Sequence, residues 1–194
     1  MESIFDLNRR LFLLMNGMYH SDLTDVAMFV VTQFGAGLAT AALIGVPLFL
    51  CDRENFVRRF VVIVIAVSLG GAVVELIKDY ICYPRPADEM MGLIATGTVK
   101  VNLFIEDPRH LSFPSGHTQL AFGAVVATSW YHRGWYTIPL FILAALVGFS
   151  RIYLGVHFPL DVVCGALIGS VVSIVVCWGA DKIISRFFGA GKKK

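Results

Sequence analysis

From Val26 to Leu50 the chain carries no charged side chain. Such a run exceeds the ~20 apolar residues that an α-helix needs to cross a hydrocarbon core of ~30 Å. Inside a bilayer every backbone N–H and C=O must find a partner within the protein, so the run is expected to be helical. Four further apolar runs follow, at about 60–77, 118–131, 136–149 and 162–178. The composition agrees, with 57% hydrophobic residues, 15% charged residues and a mean hydropathy of +0.73. Soluble domains are about a quarter charged, so a water-soluble core is excluded. The expected fold is all-α: a polytopic transmembrane bundle of about five spans plus an N-terminal interfacial helix, six helices in total. At 194 residues it reads as one domain, 1–194.

The interfacial helix is expected at 3–18, where polar and apolar positions alternate at roughly helical spacing and the uninterrupted apolar part is too short to span. No cleavable signal pattern is read there. In the first span, Gln33 and the Gly35/Gly37 pair are expected to face other helices. The runs shorter than twenty residues are expected to extend into the polar segments at their ends. Cys51, Cys82, Cys164 and Cys177 form no CxxC pair and read as small apolar residues.

Five spans place the termini on opposite sides. The 52–59 turn, the 132–135 turn and the C-terminal tail then share a side carrying Arg53, Arg58, Arg59, Arg133, Lys182, Arg186 and Lys192 to Lys194. The positive-inside rule makes that side cytoplasmic, although Arg9 and Arg10 lie opposite. The other side receives 78–117 and 150–161. Three unusual polar loci therefore meet on one face: Lys78-DYICYP-Arg85-Pro86, FPSGHT at 113–118, and SRIYLGVHFPLD at 150–161.

Ionisable groups beside hydrocarbon are costly unless paired, hydrated or used. Lys78, Arg85 and Arg151 supply positive charge suited to phosphate. Glu75 and Asp79 flank Lys78 and offer it an ordinary ion pair. Gly116 permits close backbone approach and Ser115 adds a hydroxyl, with Ser115 to Thr118 in the first turn of a helix whose N-terminus favours anions. His117 and His157 remain for chemistry: one imidazole to attack phosphorus, the other to protonate the departing oxygen. Residue chemistry alone does not rank them. Asp161 lies four residues after His157 and is placed to orient its ring. Pro159 fits a helix beginning near 158, so the His–Asp contact is expected across a helix start. Two histidines and one aspartate suit zinc poorly beside three cations, and no metal or other cofactor is expected.

These loci resemble the signature of the type 2 phosphatidic acid phosphatase superfamily of integral membrane lipid phosphatases. Its pattern is Lys, six residues, Arg-Pro; then Pro-Ser-Gly-His; then Ser-Arg, five residues, His, three residues, Asp. Here the positions are Lys78 and Arg85-Pro86, Pro114 to His117, and Ser150-Arg151, His157 and Asp161, all present and in order. The resemblance implies a metal-independent phosphatase acting through a covalent phosphohistidine. His157 would be the nucleophile, Asp161 its orienter and His117 the acid. Lys78, Arg85, Ser115, Gly116 and Arg151 would hold the phosphoryl oxygens.

The implied partners are a membrane lipid phosphate and the bilayer, with no nucleic acid; oligomeric state is not legible. The short loops look bacterial, which places the protein in the cytoplasmic membrane with the site outside and the C-terminus inside. Undecaprenyl diphosphate and phosphatidylglycerophosphate are the favoured substrates; lipid A, phosphatidate and diacylglycerol pyrophosphate are alternatives, as is non-catalytic lipid binding or transport. Headgroup choice is expected to depend on the 87–112 loop, with Lys100, Glu106, Asp107, Arg109 and His110 the residues to watch.

Overall fold

The structure is a computed structural model that describes residues 3–18, 20–104, 111–132 and 134–188. Arg133, Lys192 to Lys194, Glu106, Asp107, Arg109 and His110 lie outside the described residues, and Lys100 is exposed. The described chain forms nine helices: α1 (Ile4–Asn16), α2 (Asp22–Gln33), α3 (Gly37–Cys51), α4 (Phe56–Ile81), α5 (Pro86–Glu89), α6 (Met91–Ala95), α7 (Gly116–Tyr131), α8 (Thr137–Tyr153) and α9 (Pro159–Phe188). The six expected become nine because the first span is two helices and the long loop carries two short ones. Phe56–Ile81 and Pro159–Arg186 are long and apolar enough to cross a membrane. The α2–α3 pair adds a third candidate if its 68° bend is counted within one span. α8 is apolar and shorter.

The bend corrects the expectation of one continuous first span. Residues 34–36 close short turns, Phe34 N–H to Val31, Gly35 N–H to Thr32 and Ala36 N–H to Gln33, and extended Ala36 then starts α3. Gly35 makes this corner possible, because a Cβ there would come 2.7 Å from Val147 Cγ1 and 3.0 Å from His117 Cβ. Gly35 thus packs against other helices as expected. Gln33 and Gly37 do not; both are exposed.

α7 is the central helix, packed against α9, α4, α8 and α3. Small residues set its distance from α9. A Cβ at Gly169 would come 2.2 Å from the Gln119 carbonyl, and one at Gly165 would come 2.4 Å from the Ser115 carbonyl. Gln119 is buried in this seam and donates to the Val67 carbonyl of α4 at 3.2 Å. The core beneath joins Ile44, Ile63, Ala66, Ala124, Ala127 and Cys177 from α3, α4, α7 and α9. At the end away from His117 and His157, Asp52 pairs with Arg59, whose guanidinium meets His132 Nε2 at 2.9 Å. The 52–59 turn and His132 therefore share one end of the bundle.

The polar motifs do extend these helices. α4 continues through Lys78 to a left-handed Cys82 (φ 50°), α8 runs through Arg151, and α9 begins at Pro159, where a missing N–H costs nothing.

Gly169→Ala is expected to destabilise the detergent-solubilised protein by about 1–3 kcal/mol through overpacking. Gly179→Ala, where a Cβ meets nothing within 4 Å, should be neutral or stabilising by up to ~1 kcal/mol. Thermal unfolding checks both, and equal midpoints would contradict the close α7–α9 seam.

Candidate active site

Asp161 gathers the site. Its Oδ2 accepts from the Phe158 N–H at 2.8 Å and from the Ser112 hydroxyl, and lies 3.3 Å from His157 Nδ1. Its carbonyl accepts from the Ser115 N–H at 3.0 Å. One residue therefore ties the histidine segment to the PSGH segment. The His–Asp contact crosses the start of α9, with Asp161 in its first turn. Asp161 is 1% exposed and His157 3% exposed, so the contact is sheltered from water and its strength is not diluted.

The three cations are also buried, at 6% exposure for Lys78 and Arg85 and 3% for Arg151. Each has a fixed support. Lys78 Nζ meets Glu75 Oε1 at 2.9 Å, so the expected ion pair exists inside the site rather than instead of it. Arg85 donates to the Val156 carbonyl at 3.0 Å, which binds the first motif to the histidine segment. Arg151 donates to the Thr32 hydroxyl at 2.9 Å, from α2. Backbone pairing of Ser112 N–H with the Tyr83 carbonyl at 2.8 Å draws the first and second motifs together.

These side chains converge on a cavity of about 220 Å³ lined by Lys78, Arg85, Gly116, His117, Arg151 and His157, with Glu75 and residues 35–37 on its rim. Gly116 lies beside Lys78, where a Cβ would meet its Nζ at an ordinary contact distance of 3.9 Å. A second cavity, about 290 Å³ and almost wholly apolar, runs between α3 and α4 past Thr40, Ile44, Phe60, Ile63 and Val67. The two share Gly37 and Leu120 in their walls. A polar chamber with three cations and two imidazoles thus adjoins an apolar groove.

All eight expected site residues lie at this end of the bundle, but two stand apart from the chamber wall. Ser115 is fully buried and its hydroxyl caps α7, accepting from Thr118 N–H and the Thr118 hydroxyl. It shapes the α7 N-terminus rather than lining the cavity. Asp161 sits behind His157. Ser112 and Thr32 were not anticipated. Ser112, two residues before Pro114, was within reach of a reading that extended the second motif backwards; Thr32 carried no signal in the chain.

The PAP2 superfamily profile matches residues 59–184. The bacitracin transport permease protein BcrC of Bacillus licheniformis is 44% identical over 85 residues, covering 43% of this chain and 40% of that protein. The putative undecaprenyl-diphosphatase YbjG of Escherichia coli K12 is 28% identical over 179 residues, covering 90% of this chain and 84% of that protein. The crystal structure of Aquifex aeolicus LpxE superposes with a TM-score of 0.70 at 35% identity, covering 88% of this chain and 94% of that one.

Inorganic phosphate should bind the purified protein, and Arg85→Gln or Arg151→Gln should each weaken it about tenfold or more. Glu75→Gln, which removes the competing partner of Lys78, should tighten it. Titration calorimetry checks the three, and unchanged affinity in both arginine variants would dissociate the cavity from phosphate.

Proposed function

The chain belongs to the PAP2 superfamily of membrane lipid phosphatases, and on that premise we propose that it removes phosphate from a lipid phosphomonoester or diphosphate through a phosphohistidine. The observation that carries this reading is the shared wall of the two cavities. A charged headgroup suits the cationic chamber while its tail suits the α3–α4 groove.

The geometry supports the following chemistry. Asp161 faces His157 Nδ1, which makes Nε2 the attacking atom. The Nε2 lone pair forms the P–N bond as the P–O bond to the lipid breaks. His117, which lines the same cavity, gives its proton to the leaving oxygen. Asp161 stabilises the charge that develops on the imidazole. Lys78, Arg85 and Arg151 neutralise the phosphoryl oxygens, most strongly as charge builds in the transition state, with Gly116 and the α7 N-terminus alongside. Ser115 contributes by capping that helix. Water then attacks phosphorus, His117 takes its proton, and the P–N bond breaks to release inorganic phosphate. No step calls for a metal.

In this reading α1 lies along the membrane surface and five spans cross the bilayer: the α2–α3 pair, α4, α7, α8 and α9. The cationic turns face the cytoplasm, and the site opens outward in a bacterial cytoplasmic membrane. Undecaprenyl diphosphate and phosphatidylglycerophosphate are the preferred substrates; the first takes support from the E. coli relative's name and its long alignment. A lipid A 1-phosphatase or a broad phosphatidate phosphatase is the nearest alternative. The B. licheniformis relative, named a bacitracin transport permease protein, favours a second reading, transport without turnover.

Purified protein with EDTA should release phosphate from at least one of undecaprenyl diphosphate, phosphatidylglycerophosphate, phosphatidate and lipid A. Lipid binding with no release from any of them would favour transport, and release only after metal addition would refute the metal-free steps. His157→Ala should abolish release while the lipid still binds. Retained turnover in that variant would remove His157 as nucleophile.

A further inference from the structure

The buried face of α1 is Asn8, Phe12 and Asn16, spaced by four so that all three share one side of the helix. Two asparagines there are unusual, because a buried amide is costly unless its hydrogen bonds are made. Each makes at least one of them to the chain around His157. Asn16 is fully buried and its Nδ2 donates to the carbonyls of Tyr153 at 2.9 Å and Ile152 at 3.3 Å, just before the histidine. Asn8 Oδ1 accepts from the Leu160 N–H at 2.9 Å, just after it. Between them Phe12, fully buried, packs on Phe158 with ring centroids 5.2 Å apart. Asn16 also exchanges bonds with Asn102: its Oδ1 accepts from the Asn102 N–H at 2.8 Å, and its carbonyl accepts from Asn102 Nδ2 at 2.9 Å.

α1 is itself anchored. Arg9 Nε donates to Glu89 at 2.7 Å, and the Tyr83 hydroxyl donates to the same carboxylate at 3.0 Å. Burial, followed by that carboxylate, pushes the Tyr83 phenol up to about 12, so it remains a donor at neutral pH. The backstop thus reaches α5 and the first motif.

We infer that α1 is the positioning element of the histidine segment 152–161, with Asn8 and Asn16 as its positioning residues. Neither lines the polar chamber; they fix the chain that carries His157. This rests on the proposed role of His157 as nucleophile. Attack on phosphorus tolerates little misplacement, and an error of 1 Å costs about 100-fold. Arg85 holds the segment from the chamber side through Val156, and α1 holds it from behind.

The test uses the full chain in detergent micelles, with undecaprenyl diphosphate and phosphatidate as probes. Asn8→Ala should lower kcat by roughly 10- to 100-fold with KM within about threefold, and should raise hydrogen exchange at 156–161 without raising it in α4 or α7. Asn8→Asp keeps the oxygen acceptor at a helix N-terminus and should restore both kcat and protection. Asn16→Ala should loosen 152–153 and Asn102 together; if it fails to fold, the Asn8 pair decides alone. Wild-type kcat with wild-type exchange in Asn8→Ala would overturn the inference, as would an exchange increase spread over the whole bundle. If the wild type turns over no lipid phosphate, the functional reading falls, and the exchange pattern alone decides the positioning.

Discussion

A carboxylate buried at the end of an apolar bundle is expensive, and Asp161 is that carboxylate. Its cost is offset because the Phe158 amide, the Ser112 hydroxyl and the His157 ring all turn toward it. That requirement orders much else. The Phe158 amide is available because α9 starts at a proline. Ser112 is available because its own N–H pairs with the Tyr83 carbonyl. The Asp161 carbonyl, meanwhile, holds Ser115 and hence the start of α7. Side chain and main chain of one residue set the spacing of both histidines.

The apolar part of the bundle serves this arrangement through close helix approach. α7 carries His117 at its first turn and can meet α9 only because Gly165 and Gly169 have no side chain to interpose. A looser seam would move His117 away from the Asp161 end of α9. The cations follow a similar economy: each lies in the last turns of a helix or directly beside one, where charge can face a polar chamber while the same helix presents apolar surface further along.

The motif residues were legible because their chemistry is rare in an apolar chain. Lysine, arginine and histidine beside hydrocarbon demand an explanation, and their order and spacing supplied one. The extension of α4, α8 and α9 into the motifs followed from Pro159 and from the shortness of the apolar runs. What escaped was made of ordinary residues acting at a distance. Thr32 reaches Arg151 across 119 positions, and Asn8 reaches Leu160 across 152. Neither is unusual where it stands in the chain. Asn8, Phe12 and Asn16 were read only as part of an alternating pattern, because an asparagine on a buried face looks like one on a wet face until its partners are known. The break at residues 34–36 was hidden by an unbroken apolar run, in which hydropathy is blind to direction.

That break gives α2 and α3 different company. α2 packs on α8 and steadies Arg151 through Thr32, whereas α3 lies against α7 and α4 and borders the apolar groove. On the proposed function, support of the headgroup clamp falls mainly to α2 and the width of the groove beside it mainly to α3. On that reading, substitutions along α3 would reshape the groove for a different chain length or branching while the residues proposed to hold the anion stay intact, so one scaffold would diversify among lipids without rebuilding its chemistry.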